Sequence, residues 1–192
     1  MEKGSGTLVD TLIGTRTLVY DALLIGGGSV WVGLMAQIAI PLPFTPVPIT
    51  GQTFGVLLVG ALLGSRRGAL ALGLYLLEGI AGLPVFAGGS GGLARLLGPT
   101  GGYLVGFVAA AAVTGWLCER GGDRRVLTAV LAMLAGNLVI YLFGLPWLAC
   151  LVGPERALIM GLWPFIPGDL LKLTLAVLAL PSAWALVQSH RP

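Results

Sequence analysis

From Ala157 to Val187 the chain runs 31 residues with only two charged side chains, Asp169 and Lys172. The rest of that stretch is mainly Leu, Ala, Val, Ile, Phe and Trp, which is membrane material. An ionisable residue inside a membrane span costs roughly 2.5–3.5 kcal/mol on insertion scales, so it faces a partner, a cavity or a ligand. The two charges stand three positions apart and share one face of a helix. Pro167 and Gly168 just before them predict a helix start, where Asp169 meets the positive end of the helix dipole. An acceptor and a donor, side by side and partly desolvated, suit recognition of a small polar molecule.

The same character extends to the whole chain. Only 10% of the residues are charged, against about 25% in soluble domains. Spans of about 20 residues with short loops leave 192 residues no room for a separate soluble domain. The apolar runs predict spans at Leu18–Ile40, Thr50–Leu63, Gly68–Ile80, Gly101–Cys118, Val126–Leu151 and Gly168–Val187. The second and third are short and read as a tight pair around the Gly64-Ser65-Arg66-Arg67 turn. Residues 157–163 form an outer preamble to the last helix, interrupted by Pro164 and Pro167. Met1 to Arg16 is polar and mixed in charge, so no signal peptide is expected. The 31 glycines permit close helix approach and irregular backbone inside the protein.

With six spans both termini share one side, and so do Lys3, Arg16, Arg66, Arg67, Arg120, Arg124, Arg125 and Arg191. Only Arg95 and Arg156 fall opposite, and Lys172 lies within a span. The positive-inside rule then puts both termini in the cytoplasm. The expectation is an all-α, multi-pass protein of the plasma membrane. It is a single integral domain over residues 1–192, with a cytoplasmic segment at 1–17 and a six-helix bundle at 18–187.

Two outer loops stand out. Residues 41–48 carry Pro41, Pro43, Pro46 and Pro48, which fix φ and remove donors, so the segment is a stiff, extended lid. Residues 82–100 are Gly-rich yet hold Leu83, Val85, Phe86, Leu93, Leu96 and Leu97, which argues for an ordered loop with a job.

Enzyme readings find little support. The single histidine, His190, stands near the C-terminus, so no metal cluster or Ser-His arrangement exists, and no Walker motif or Rossmann glycine context is present. No cofactor, metal or nucleic acid is expected. Cys118 and Cys150 read as small hydrophobes. An intramembrane enzyme using Asp169 and Lys172 as base and acid stands as a distant alternative.

Four segments resemble the signature of the BioY family, the biotin-binding S components of energy-coupling-factor transporters. They are PLPFTPVPITGQ at 41–52, GLPVFAGGSGG at 82–92, LGPTGGY at 97–103 and PFIPGDLLK at 164–172. Their order and spacing match from about Leu18 to Val187. The resemblance implies a six-helix bundle with a biotin cavity near the outer face, closed by the 41–48 and 82–100 loops. It implies as partners biotin, membrane lipid, and a transmembrane coupling subunit with ATPases; a solitary carrier or self-oligomer is the alternative.

Biotin needs acceptors for its ureido N–H groups, a donor for the ureido carbonyl, apolar walls, and a cation for its carboxylate. Asp169, Lys172 and Arg95 are the candidate charged contacts, and Phe44, Val47 and Phe86 the candidate walls. Which end of biotin meets which charge stays open. Gln52 either contacts ligand or satisfies lid backbone. Asn137 is a candidate contact or a helix–helix hydrogen bond. Tyr103 is a candidate contact or, like Tyr141, an interfacial anchor. Glu78 is expected to reach the headgroups. In the family, small residues four apart on the first helix pack against the coupling subunit; here Ser29 and Gly33 hold those positions, where Ala at both is usual.

Overall fold

The computed structural model describes residues 7–13 and 17–189. Lys3, Arg16, His190 and Arg191, used above for topology and for the enzyme reading, lie outside the described residues, as does most of the 1–17 segment. The elements run α1 (Leu8–Ile13), α2 (Leu18–Gln37), β1 (Ala39–Ile40), β2 (Ile49–Thr50), α3 (Gln52–Ile80), α4 (Leu93–Leu97), α5 (Gly101–Glu119), α6 (Val126–Val152), α7 (Pro154–Gly161) and α8 (Ile166–Ser189). Five of them, α2, α3, α5, α6 and α8, are long and apolar enough to cross a membrane. Large side chains such as Leu23, Leu77, Leu131, Leu138, Leu142 and Leu178 stand exposed along these helices. Such a surface suits lipid, where outward-facing leucine carries no penalty.

α3 is not one straight rod. Gly64 sits at φ 86° and ψ 179°, a backbone state that L side chains avoid. The chain turns back there. The Gln52 amide donates to the Tyr75 hydroxyl at 2.6 Å, although the two are 23 positions apart. A straight helix would hold them about 35 Å apart. A Cβ on Gly68 would lie 3.1 Å from the Gly60 Cα, so the two arms touch backbone to backbone. This is the tight pair expected around residues 64–67. Glu119 at the end of α5 anchors the turn by accepting from the Ser65 amide at 2.7 Å. Arg67 ties in α1 and α2 through Asp10 and Asp21, each at 2.6 Å.

α3 packs on α2 and α5, α5 on α6, and α6 on α7 and α8. One core joins Val56, Leu72, Tyr75, Phe86, Leu104 and Phe107; a second joins Leu57, Cys118, Met133, Leu173 and Leu180. Cys118 is buried, as a small hydrophobe would be, whereas Cys150 is exposed.

The bundle therefore has two distinct ends. One carries the Gly64 turn, the 120–125 turn and α1; the other carries the segments 38–51, 81–100 and 153–165. At the first end Asp123 is fully buried, and the Trp184 indole N–H donates to its Oδ2 at 2.5 Å, pinning the α5–α6 turn to α8. Burial pushes the Asp123 carboxyl above its ordinary range.

Some details differ from the sequence reading. α2 stops at Gln37 because residues 39–40 pair antiparallel with 49–50, making the Pro-rich lid the tip of a two-stranded ribbon. The Gly-rich loop holds a short helix, α4, and an isolated bridge between Phe86 and Ser90. α8 starts two residues before Gly168 with Pro167 in its first turn, where the missing N–H costs nothing.

Candidate functional site

At the end away from the Gly64 turn, a cavity of about 600 Å³ including its mouth opens between the helices and the loops. Val47, Pro48 and Thr50 of the ribbon, Phe86 and Ala87 of the Gly-rich loop, and Arg95 of α4 form its cover. Gln52 and Thr53 at the start of α3, Tyr103, Leu104 and Phe107 of α5, and Ile140 and Tyr141 of α6 form its walls. Phe165, Asp169 and Lys172 close it from α8 and the turn before it.

Asp169 enters because α8 begins at Ile166 and its first turn points at the bundle axis. The carboxylate is nearly fully buried, and its two oxygens have different company. Oδ2 accepts from the Tyr141 hydroxyl and from the Asn137 amide, the latter at 3.2 Å. Among the described residues Oδ1 has only Lys172 Nζ, at a loose 3.5 Å. Oδ2 is thus committed to α6 while Oδ1 keeps accepting capacity. Lys172 donates to Thr53 Oγ1 at 2.9 Å, which draws the ammonium toward α3. An ammonium has three donors, so after Thr53 and Asp169 one remains. The pair is partly compensated internally and still able to accept and donate once more each.

Arg95 supplies the second cation. Its guanidinium makes no hydrogen bond or ion pair among the described residues, so its planar fork is available to a carboxylate. Apolar surface dominates the remaining walls: Val47 and Phe86 are nearly buried, and Phe107 and Phe165 lie below them.

The cavity thus gathers Asp169, Lys172, Arg95, Gln52, Val47, Phe86 and Tyr103 from the expected set. Phe44 does not line it; the ring sits in the ribbon tip, 57% exposed. Asn137 reaches Asp169 from behind as a helix–helix hydrogen bond and is not on the lining. Tyr103 and Tyr141 are not interfacial anchors: Tyr103 donates to the Gly161 carbonyl at 2.9 Å, and Tyr141 holds Asp169. Glu78 does not reach toward headgroups either, because Ser29 donates its hydroxyl to the Glu78 carboxylate.

That bond also corrects the expectation for Ser29 and Gly33. Both are buried on the side of α2 that packs inward, Ser29 on Glu78 and Gly33 beside Val85. Neither stands on a face open to a second membrane subunit. The polar Ser29 explains this: a hydroxyl in a bundle turns toward an acceptor, and Glu78 offers one.

Tyr141, Thr53 and Thr50 join the site without having been singled out for it. The spacing of Asn137 and Tyr141, four apart on α6, was the available signal, since it puts both on one face. Nothing local marked Thr53; its role arises from the approach of α8 to α3.

Residues 7–189 match the model of the BioY family. The chain is 42% identical over 172 residues to the biotin transporter BioY of Rhizobium etli, covering 85% of this chain and 90% of that protein. It is 40% identical over 161 residues to the biotin transporter BioY of Thermotoga maritima, covering 83% and 88%. The crystal structure of the S-component for biotin from an ECF-type ABC transporter superposes with a TM-score of 0.74 at 27% identity, covering 88% of this chain and 94% of that one.

Proposed function

Because the chain belongs to the BioY family, we propose that it is the biotin-binding membrane subunit of a biotin uptake system and that the cavity described above is its biotin site. The observation that carries this reading is the asymmetric Asp169–Lys172 pair. One carboxylate oxygen keeps accepting capacity and one ammonium donor is left over in a mainly apolar chamber, with a second cation at Arg95 whose guanidinium is unpaired among the described residues.

That donor set suits biotin. Asp169 Oδ1 accepts a ureido N–H, and Gln52 and Thr53 add neutral polar contacts beside it. Phe86, Val47, Phe107 and Phe165 wall the fused ring and the valeryl chain. Lys172 and Arg95 are the two cations for the ureido carbonyl and the carboxylate. Arg95 on the cover fits the carboxylate better, because its fork can hold both oxygens. Tyr103 shapes the wall from α5.

In this reading the two arms of α3 each cross the bilayer, so that α2, both arms, α5, α6 and α8 make six crossings in a single integral domain. Arg66, Arg67, Arg120, Arg124 and Arg125 gather at the end that holds α1, and the positive-inside rule assigns that end and both termini to the cytoplasm. The cavity then opens outward, and the Pro-rich ribbon and Gly-rich loop close over captured biotin.

The partner is proposed to be a transmembrane coupling subunit with ATPase subunits, in keeping with the transporter class of the superposed S-component. A carrier that works without ATPases, alone or as a self-oligomer, is the second reading. The inward placement of Ser29 and Gly33 favours it, because the face expected to meet a coupling subunit is occupied by Glu78 and Val85. Biotin uptake by transport-deficient cells separates the two readings. Uptake by cells expressing only this chain supports the solitary carrier; uptake only with a coupling module supports the S component. No uptake in either setting would reject both.

A further inference from the structure

A line of side-chain hydrogen bonds leaves the cavity at Gln52 and ends on a loop backbone. Thr50 Oγ1 donates to Gln52 Oε1 at 3.1 Å, Gln52 Nε2 donates to the Tyr75 hydroxyl at 2.6 Å, and that hydroxyl donates to the Val85 carbonyl at 3.1 Å. A phenol has one proton to give. Val85 takes it, so Tyr75 can only accept from Gln52, which orients the amide with Oε1 toward Thr50. The line therefore has a single direction.

Its two ends belong to different parts of the cover. Thr50 is in β2, the return strand of the Pro-rich ribbon, and Val85 is in the Gly-rich loop. Tyr75 between them is completely buried. Its ring also meets Phe86 edge-on, with centroids 5.4 Å apart, and Phe86 lines the cavity. Phe86 in turn is held by its N–H to the Ser90 carbonyl at 2.9 Å. One phenol on the second arm of α3 thus holds a cavity amide, a loop carbonyl and a cavity ring.

We propose that Tyr75 is a positioning residue that joins the ribbon and the Gly-rich loop into one cover, so that both segments open and close over the ligand together. This rests on reading the cavity as the biotin site. A buried phenol that merely fills space would leave the two segments independent.

The test uses the full chain carrying Tyr75→Phe, which keeps the ring and removes the hydroxyl. Gln52 Nε2 and the Val85 carbonyl then lose their partner, and unsatisfied buried groups are costly. Biotin release is expected to quicken about tenfold with association nearly unchanged, since the cover acts on escape. Amide exchange without ligand is expected to rise in both 39–50 and 82–92. Thr50→Val, at the other end of the line, is expected to raise exchange in 82–92 as well, and the double variant to release biotin no faster than the faster single variant. Release by Tyr75→Phe within about twofold of the unaltered chain would overturn the proposal. So would exchange that rises only in the segment nearest each substitution. Should the unaltered chain fail to bind biotin, the site reading falls, while the exchange measurement still decides the coupling. If Tyr75→Phe does not fold, Thr50→Val alone decides it through exchange in 82–92.

Discussion

Replacing Lys172 by Met separates what the charged pair does for the fold from what it does for the ligand. The Asp169 side chain is 8% exposed and that of Lys172 is 17%. Removing one partner of a buried pair costs about 3–5 kcal/mol, because the remaining charge is left uncompensated. Here the cost is smaller. Asp169 Oδ2 keeps its donors on Tyr141 and Asn137, and the Lys172 contact was already long at 3.5 Å. A loss of about 2 kcal/mol follows for Lys172→Met, with a clear fall in the apparent melting temperature in detergent. Adding Asp169→Asn removes the stranded charge, and the amide still accepts from Tyr141, so most of the lost stability is expected to return. Biotin affinity should behave differently. Each hydrogen bond to a charged group is worth about 1.5–3 kcal/mol, so each single variant binds at least about tenfold more weakly. The double variant should bind more weakly still. Melting curves and equilibrium binding on the same four proteins decide the matter. If the double variant regains affinity along with stability, the pair is only a structural ion pair and the reasoning fails.

Four further outcomes are expected. Arg95→Ala should weaken biotin more than it weakens a biotin amide, as compared by competition binding, because only the acid offers a carboxylate to the guanidinium; equal losses would move the carboxylate to Lys172. Gly64→Ala should destabilise the bundle by roughly 1–3 kcal/mol, because φ 86° with ψ 179° is backbone that only glycine adopts readily and the added Cβ would also run into the Glu119 carboxylate. Gly73→Ala, where a Cβ meets nothing within 4 Å, should be nearly neutral by the same melting assay. The raised carboxyl of Asp123 binds its proton more tightly in the folded chain than in the unfolded one. Its stabilising contribution is complete below the ordinary value of 3.8 and is lost as pH rises through the elevated folded value. Asp123→Asn should flatten that dependence, followed by the fluorescence of Trp184, which donates to this carboxyl.

The parts of the fold and site that were legible in the sequence share a cause: each is written in local composition or in spacing along one helix. The spans, the turn at Gly64, the break before α8 and the common face of Asp169 and Lys172 are all of this kind. The ribbon was missed because β1 and β2 are two residues each, paired across a Pro-rich tip too short to show alternation. Tyr141 was missed as a holder of Asp169 because its role depends on how α6 meets α8. Ser29 and Gly33 were misplaced for a related reason. A small-residue spacing identifies a face that permits close approach but not which neighbour takes it, and Glu78 on the second arm of α3 decides that. Phe44 was misjudged because an aromatic ring in a lid points in either direction with equal sequence support, and the ribbon turns this one outward.

In the proposed reading this chain by itself holds biotin in the chamber floored by Asp169 and Lys172. Equilibrium dialysis of labelled biotin against the purified chain, alone and in its Asp169→Asn/Lys172→Met form, tests it most directly. Saturable binding of one biotin per chain is expected, weakened at least about a hundredfold in the double variant. Absence of saturable binding to the unaltered chain, or equal binding by both proteins, would contradict it.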